Sequence, residues 1–213
     1  AAAAYAGGKV IQDVGGGICQ ISSTLYNAVL LANLEITDRS NHCFETSYVP
    51  AGRDATVNWG TVDFQFKNNR KYPIKIETTA GGGIATAKIH GLKEENEYEV
   101  VIQSKVTSYI SRTTRYKNDS TMDEGKEVIE DNGFDGCNSE TYKILKLNGE
   151  VVSQTLISRD SYDPMDRVII RGTKKVVKPE QEVPVNKGNE KQEPTQEQNQ
   201  TENQEENNNK PNT

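Results

Sequence analysis

From Gln20 to Leu34 the apolar side chains Ile21, Leu25, Ala28, Val29 and Ala32 fall at offsets of 0, 4, 7, 8 and 11. That spacing predicts one face of a helix of about three to four turns. The helix is entered from Gly15, Gly16 and Gly17. No polar cap residue stands outside that glycine loop, so the first helical amides face the loop and are open to an anion or oxyanion. Asn33, then Asp38, Arg39 and Ser40, mark the exit. Short β-prone runs follow between turn residues: TSYVP, ATVNW, VDFQF, YPIKIET and, after Gly81 to Gly83, IATAKIHG. In VDFQF and YPIKIE every second side chain is apolar, the period of half-buried strands. The first part of the chain is therefore α+β, with one main helix packed on an antiparallel sheet.

Charge and turn residues gather at GLKEENE, and strand-like runs resume as YEVVIQSKV, ETYKILKLNGEVVSQTLIS and DRVIIRGTKKVV. Asn148-Gly149 between two such runs predicts a tight hairpin. Helical periodicity of comparable length is missing between Glu97 and Val177, so this part is expected to be a small, elongated all-β domain. The expected organisation is one domain over residues 1–92, a second over 97–177 and a tail over 178–213.

Composition sets the tail apart. Lys178 to Thr213 offers only Val183 and Val185 as apolar side chains, too few to offset the entropy of ordering, so it is expected to be disordered. Its eight Glu and four Lys carry −4 of the formal −6, which leaves the rest nearly neutral. A nearly neutral folded part argues against nucleic acid as a partner, since that footprint needs clustered Lys and Arg.

No run of 18 apolar residues occurs, so no membrane contact is expected within these 213 residues. The chain begins at Ala1 and runs directly into AAAAYAGGKV, which reads as the end of a longer protein. Cys19, Cys43 and Cys137 are too few for a disulfide framework, although a Cys19–Cys43 bridge is compatible with the count. Three Cys and two His without CxxC or HxxxH spacing argue against a metal site, and nothing calls for a cofactor.

The block GGGICQISSTLYNAVLLANLEITDRSNHCF, followed by YVPAGRDATVNW, VDFQFKN and PIKIE, resembles the VanW family from about Gly7 to Gly91. Cys43 departs from the family's usual small residue after the His. From Tyr98 to Lys174 the chain resembles the G-five domain through ETYKILKLNGEVVS, RVIIRGTK and the glycines Gly125, Gly133, Gly136, Gly149 and Gly172. Together the resemblances imply an extracellular, cell-envelope protein of a bacterium, anchored in the membrane through an upstream region. They imply peptidoglycan or another wall glycan containing N-acetylglucosamine as partner, and leave the oligomeric state open.

Cys19 stands where the glycine loop becomes helix, a position that favours a thiolate. His42 follows 23 residues later and Asp54 lies in GRDATV. A thiol, an imidazole base and an acidic orienter are the parts of a thiol acyl-transfer site, with glycine amides as oxyanion donors. Gly15, Gly16, Gly17, Gln20, Ser22, Ser23 and Arg39 are the candidate ligand-binding residues beside it. Each has an ordinary alternative: a cysteine facing Ile21 and Leu25 packs in a core, and Ser or Thr in a first turn caps the helix. Arg39, Asn41 and His42 form a polar knot that would equally close the helix exit, and Cys137 is expected in a loop after Gly136. Tyr5, Tyr48 and Trp59 are aromatic candidates for stacking on sugar rings. From residues alone the first expectation is a wall-associated, non-catalytic protein; the alternative is a cysteine-dependent enzyme acting on amide bonds of peptidoglycan stem peptides.

Overall fold

The computed structural model describes residues 2–6, 9–13 and 17–175, with side chains described from Gly17 onward. Gly15, Gly16, the side chain of Tyr5 and the tail lie outside the described residues. Most of the described chain is β-structure, with one α-helix.

Strands β1 (Ala2–Ala6) and β2 (Lys9–Asp13) form an antiparallel pair that leads to helix α1 (Ile18–Leu31). The helix lies two to three residues earlier than its apolar spacing predicts, because it starts directly after Gly17, without a side-chain cap. Its end is fixed by backbone geometry. Leu34 N–H donates to Val29 C=O at 3.1 Å and Asn33 N–H to Leu30 C=O at 3.0 Å, while Asn33 takes φ 54°. These two bonds and a left-handed residue form a Schellman stop, with buried Leu34 as its apolar closure.

Strand β3 (Glu35–Asp38) pairs antiparallel with β4 (Gln65–Lys67), and β5 (Lys75–Gly81) forms a hairpin with β6 (Ile84–His90). Between β3 and β4 the chain is irregular, held by the isolated bridges Ser40 to Thr56 and Asn58 to Val62. TSYVP and most of ATVNW are therefore not strands. Ala51 and Ala55 are buried there, and the backbone around them bonds to side chains instead of to a ladder.

After β6, residues 91–98 cross to a second set of strands, and Arg70 pairs with Glu94 and Glu97 of this crossing. Strands β7 (Glu99–Ile110), β10 (Gly136–Leu147) and β11 (Glu150–Tyr162) make one antiparallel sheet, with β10 in the centre. In the other sheet β12 (Arg167–Lys174) is central, parallel to β8 (Thr114–Asp123) and antiparallel to β9 (Glu127–Asp131). The β10–β11 turn has Asn148 at φ 53° and Gly149 at φ 87°, as a two-residue primed turn requires. Cys137 is not in a loop: it is the second residue of β10 and is buried against Ala51 and Tyr162.

The two sets of strands share a core. Tyr26, Leu30 and Ala55 pack with Ile36 and Phe64 from one side and with Ile102 of β7 and Ile157 of β11 from the other. A buried aliphatic side chain here is worth about 1.5–3 kcal/mol, so neither side is a loose appendage. The backbone at Gly52 runs directly against β10. Its φ is 83°, and a Cβ there would overlap the Thr141 hydroxyl of β10, so only glycine fits.

Candidate functional site

Cys19 is the second residue of α1, with its sulfur half-buried at the helix N-terminus. The thiol lies 3.4 Å from the Val57 carbonyl and 3.7 Å from the Thr56 hydroxyl, in the segment that follows Asp54. Ser22 and Ser23 fix this approach. Ser22 donates to the Ala55 carbonyl at 2.5 Å, and Ser23 accepts the Ala55 amide at 2.9 Å. Asn27 extends the seam by donating to the Arg53 carbonyl at 2.7 Å. One face of α1 is thus stitched to residues 53–57, which holds the thiol beside that irregular stretch.

His42 and Asp54 meet across the same stretch. His42 Nδ1 lies 2.6 Å from Asp54 Oδ2, which also accepts the His42 backbone N–H at 2.7 Å. Nε2 is left for the other side of the ring, where the Tyr48 hydroxyl stands 3.4 Å away, and Cys19 lies near enough for thiol and ring to shift one another's ionisation. Asp54 is 1% exposed, and its Oδ1 accepts from Arg39 at 2.9 Å and from the Tyr162 hydroxyl at 2.5 Å. Arg39 also pairs with Asp160, and its guanidinium lies over the Tyr26 ring. Every carboxylate hydrogen-bonding direction is used, which is what a buried charge requires.

The electrostatics follow from these contacts. The neighbouring His42 lowers the Cys19 pKa most; burial raises it, while the Val57 backbone and the Thr56 hydroxyl help to lower it, from 9.0 to about 7. Burial works against charge on His42, yet the Asp54 carboxylate and the Cys19 sulfur outweigh it and raise its pKa from 6.5 to about 9. Burial likewise opposes ionisation of Asp54, but bonds from His42 and Tyr162 and the charge of Arg39 hold its carboxyl below the usual range. Between these values the favoured state is a thiolate beside an imidazolium, reinforced by the helix N-terminus under Cys19. Tyr48 is pushed up to about 12, chiefly by burial, so its phenol stays protonated beside them.

The structure therefore joins His42 to Asp54 and holds Cys19 against Thr56 and Val57, just beyond Asp54 in the chain. Arg39 is 7% exposed at its side chain and Ser23 is fully buried, so their polar groups serve the internal network. Ser22 bonds to Cys19 C=O and Ala55 C=O, and the Gln20 carbonyl accepts from Thr24 at 2.7 Å. Gly17 caps α1 through its backbone, and Ile21 N–H donates to its carbonyl at 3.2 Å. Trp59 is fully exposed on a tight turn closed by the Asn58 to Val62 bridge, two residues beyond Val57. Cys19, Cys43 and Cys137 are all free thiols. Among the described residues, no cluster of three or more His, Cys, Asp or Glu could hold a metal ion. Thr56, Asp160 and Tyr162 are missing from the sequence reading. Thr56 lies in the same GRDATV run as Asp54, whereas Asp160 and Tyr162 come from the end of β11, more than a hundred residues away.

Comparison with known proteins places these elements. Residues 1–90 match the family model described as VanW like protein, and residues 101–174 match that of the G5 domain. The chain carries a VanW-like domain followed by a G5 domain. A stretch of 76 residues is 53% identical to "Uncharacterized protein YoaR" of Bacillus subtilis (strain 168), and covers 36% of this chain and 25% of that protein. The chain thus spans about a quarter of that relative's length. Among solved structures, an IgA1 protease G5 domain is 24% identical with a TM-score of 0.26, covering 38% of this chain and 98% of that one. The crystal structure of another G5 domain is 17% identical with a TM-score of 0.22, covering 36% and 99%.

Proposed function

We propose that the chain is a cell-envelope acyl-transfer enzyme that uses Cys19 as nucleophile on amide bonds of peptidoglycan stem peptides. The observation that carries this reading is the His42 imidazole held by the buried Asp54 at 2.6 Å, with the half-buried Cys19 thiol at the helix start coupled to it electrostatically. A merely packed cysteine has no need of an imidazole held by a buried carboxylate at 2.6 Å. The VanW-like and G5 domains support the cell-wall location, and the stem peptide is the amide substrate that location offers.

In this mechanism the Cys19 thiolate adds to the amide carbonyl, forming a C–S bond. The developing oxyanion lies near the first amides of α1. As the C–N bond breaks, the His42 imidazolium gives its Nε2 proton to the departing amine, which leaves a thioester on Cys19. Water or a second amine then attacks that thioester. Its proton passes to His42, the C–S bond breaks and the thiolate returns. Asp54 holds the Nδ1–H tautomer throughout and stabilises the imidazolium. Tyr48 beside His42, and the exposed Trp59 two residues beyond Val57, would offer ring faces to the sugars next to the peptide.

The G5 domain supports a companion role, adhesion to peptidoglycan or another glycan containing N-acetylglucosamine, that keeps the site at its polymer. The test is to incubate the protein with soluble muropeptides, quench in acid and weigh the intact chain. The reading predicts an acyl adduct on the peptide containing Cys19, absent in Cys19→Ala. Muropeptides left unchanged by an excess of enzyme, with no adduct, would contradict it.

A further inference from the structure

We propose that Tyr162, at the end of strand β11 in the G5 domain, is a positioning residue for the Cys19–His42 pair. The second domain then completes the site that the first carries. The inference rests on the acyl-transfer reading and adds to it a residue that neither domain's comparison assigns.

A carboxylate on a single side-chain bond has a broad torsional well, so one hydrogen-bonded oxygen does not fix its plane. In Asp54 both edges are held. Oδ2 takes the His42 ring at 2.6 Å and its backbone N–H at 2.7 Å, while Oδ1 takes the Tyr162 hydroxyl at 2.5 Å. That phenol is pinned in turn: its ring is fully buried and its oxygen accepts the Gly52 N–H at 2.7 Å. Arg39 is the other donor to Oδ1, and its own position depends on Asp160, two residues before Tyr162 on the same strand.

The backbone around His42 is tied to the same strand end. Asn41 donates to the Ser161 carbonyl at 2.8 Å, and the Cys43 carbonyl accepts the Asp163 N–H at 2.6 Å. Residues on both sides of His42 are therefore clamped to residues 161–163, while Tyr162 between them reaches the carboxylate. The imidazole's backbone and its orienting carboxylate are thus registered to one strand of the neighbouring domain. Such fixing of an acid–base group by a second layer of hydrogen bonds is how a base keeps its productive tautomer.

The full chain has two histidines, His42 and His90, so ring nitrogens can be followed by ¹⁵N NMR and assigned with His42→Ala. His42 is titrated in the parent and in Tyr162→Phe, which keeps the ring and removes the hydroxyl. The parent midpoint is expected near 9. In Tyr162→Phe the Oδ1 edge keeps Arg39 as its donor, so the carboxylate swings toward the guanidinium and away from Nδ1, and the midpoint falls by about one pH unit or more toward the ordinary value. An unchanged or raised midpoint in a folded Tyr162→Phe overturns the inference and leaves the acyl-transfer reading standing. A parent midpoint near 6.5 instead overturns the Cys19–His42 pairing itself. If Tyr162→Phe does not melt cooperatively, Asp160→Asn takes its place. It frees Arg39 to draw Asp54 away from the ring, so the midpoint again falls, and an unmoved midpoint is contrary to the proposal.

Discussion

The Asp54 carboxylate and the Tyr162 hydroxyl stand 2.5 Å apart, although 108 residues separate them in the chain. Through this bond the buried acid beneath His42 answers to both domains at once. Stability, ionisation and reactivity at the site should therefore move together.

The first consequence concerns pH. His42 has a raised folded pKa, so alone it gives stability that is complete below about 6.5 and is lost as pH rises through about 9. Cys19 has a lowered one, so its contribution is complete above about 9 and is lost as pH falls through about 7. Across that window the folded protein holds one proton more on His42 and one fewer on Cys19 than the unfolded chain. The two effects cancel, and stability from urea unfolding should be nearly flat across the window. Cys19→Ser removes one side of the balance, so its stability should decline as pH rises through the same range; a flat curve in the variant would count against the paired ionisation.

Arg39 is the shared cation of Asp54 and Asp160, and all three side chains are at least nine-tenths buried. Arg39→Met leaves buried Asp160 without its cation and buried Asp54 with His42 as its one ionic partner. A loss of about 3–5 kcal/mol in unfolding free energy is expected, read from denaturant melts at neutral pH. A change below about 1 kcal/mol would mean that the network is better solvated than its burial indicates.

Trp59 separates binding from folding. Its side chain is fully exposed, so Trp59→Ala should leave stability within about 0.5 kcal/mol. Sedimentation with insoluble peptidoglycan should nevertheless show weaker retention, since the proposed ring stacking is lost. Equal retention would remove Trp59 from the glycan-facing surface.

How far the sequence foretells this site depends on distance along the chain. Cys19, His42 and Asp54 stand out as candidates because each belongs to a residue type and local setting with its own chemistry: a thiol at a helix start, a histidine after the helix exit, an acid just past a turn. Helix α1 is legible from its apolar period, and the hairpins at Gly81 to Gly83 and at Asn148-Gly149 from their turn residues. Strands β8 and β9 are not, because most of their side chains are exposed and no alternation marks a buried face. Nor is the irregular course of residues 46–59, where β-prone side chains are overruled by close packing at Ala51, Gly52 and Ala55. Asp160 and Tyr162 sit in a polar strand end whose meaning exists only once β11 lies against Arg39 and Asp54. A contact of that range has no local signature.

The most direct test of the account is the pH dependence of Cys19 alkylation by iodoacetamide in the full chain, with Cys43 and Cys137 replaced by Ala, alone and combined with His42→Ala. The account predicts a thiol that titrates near 7, and a midpoint that returns toward 9 without His42, with the rate at pH 7 falling on the order of tenfold. A Cys19 that titrates near 9 in both proteins, or resists alkylation throughout, would contradict the account and leave a packed structural thiol.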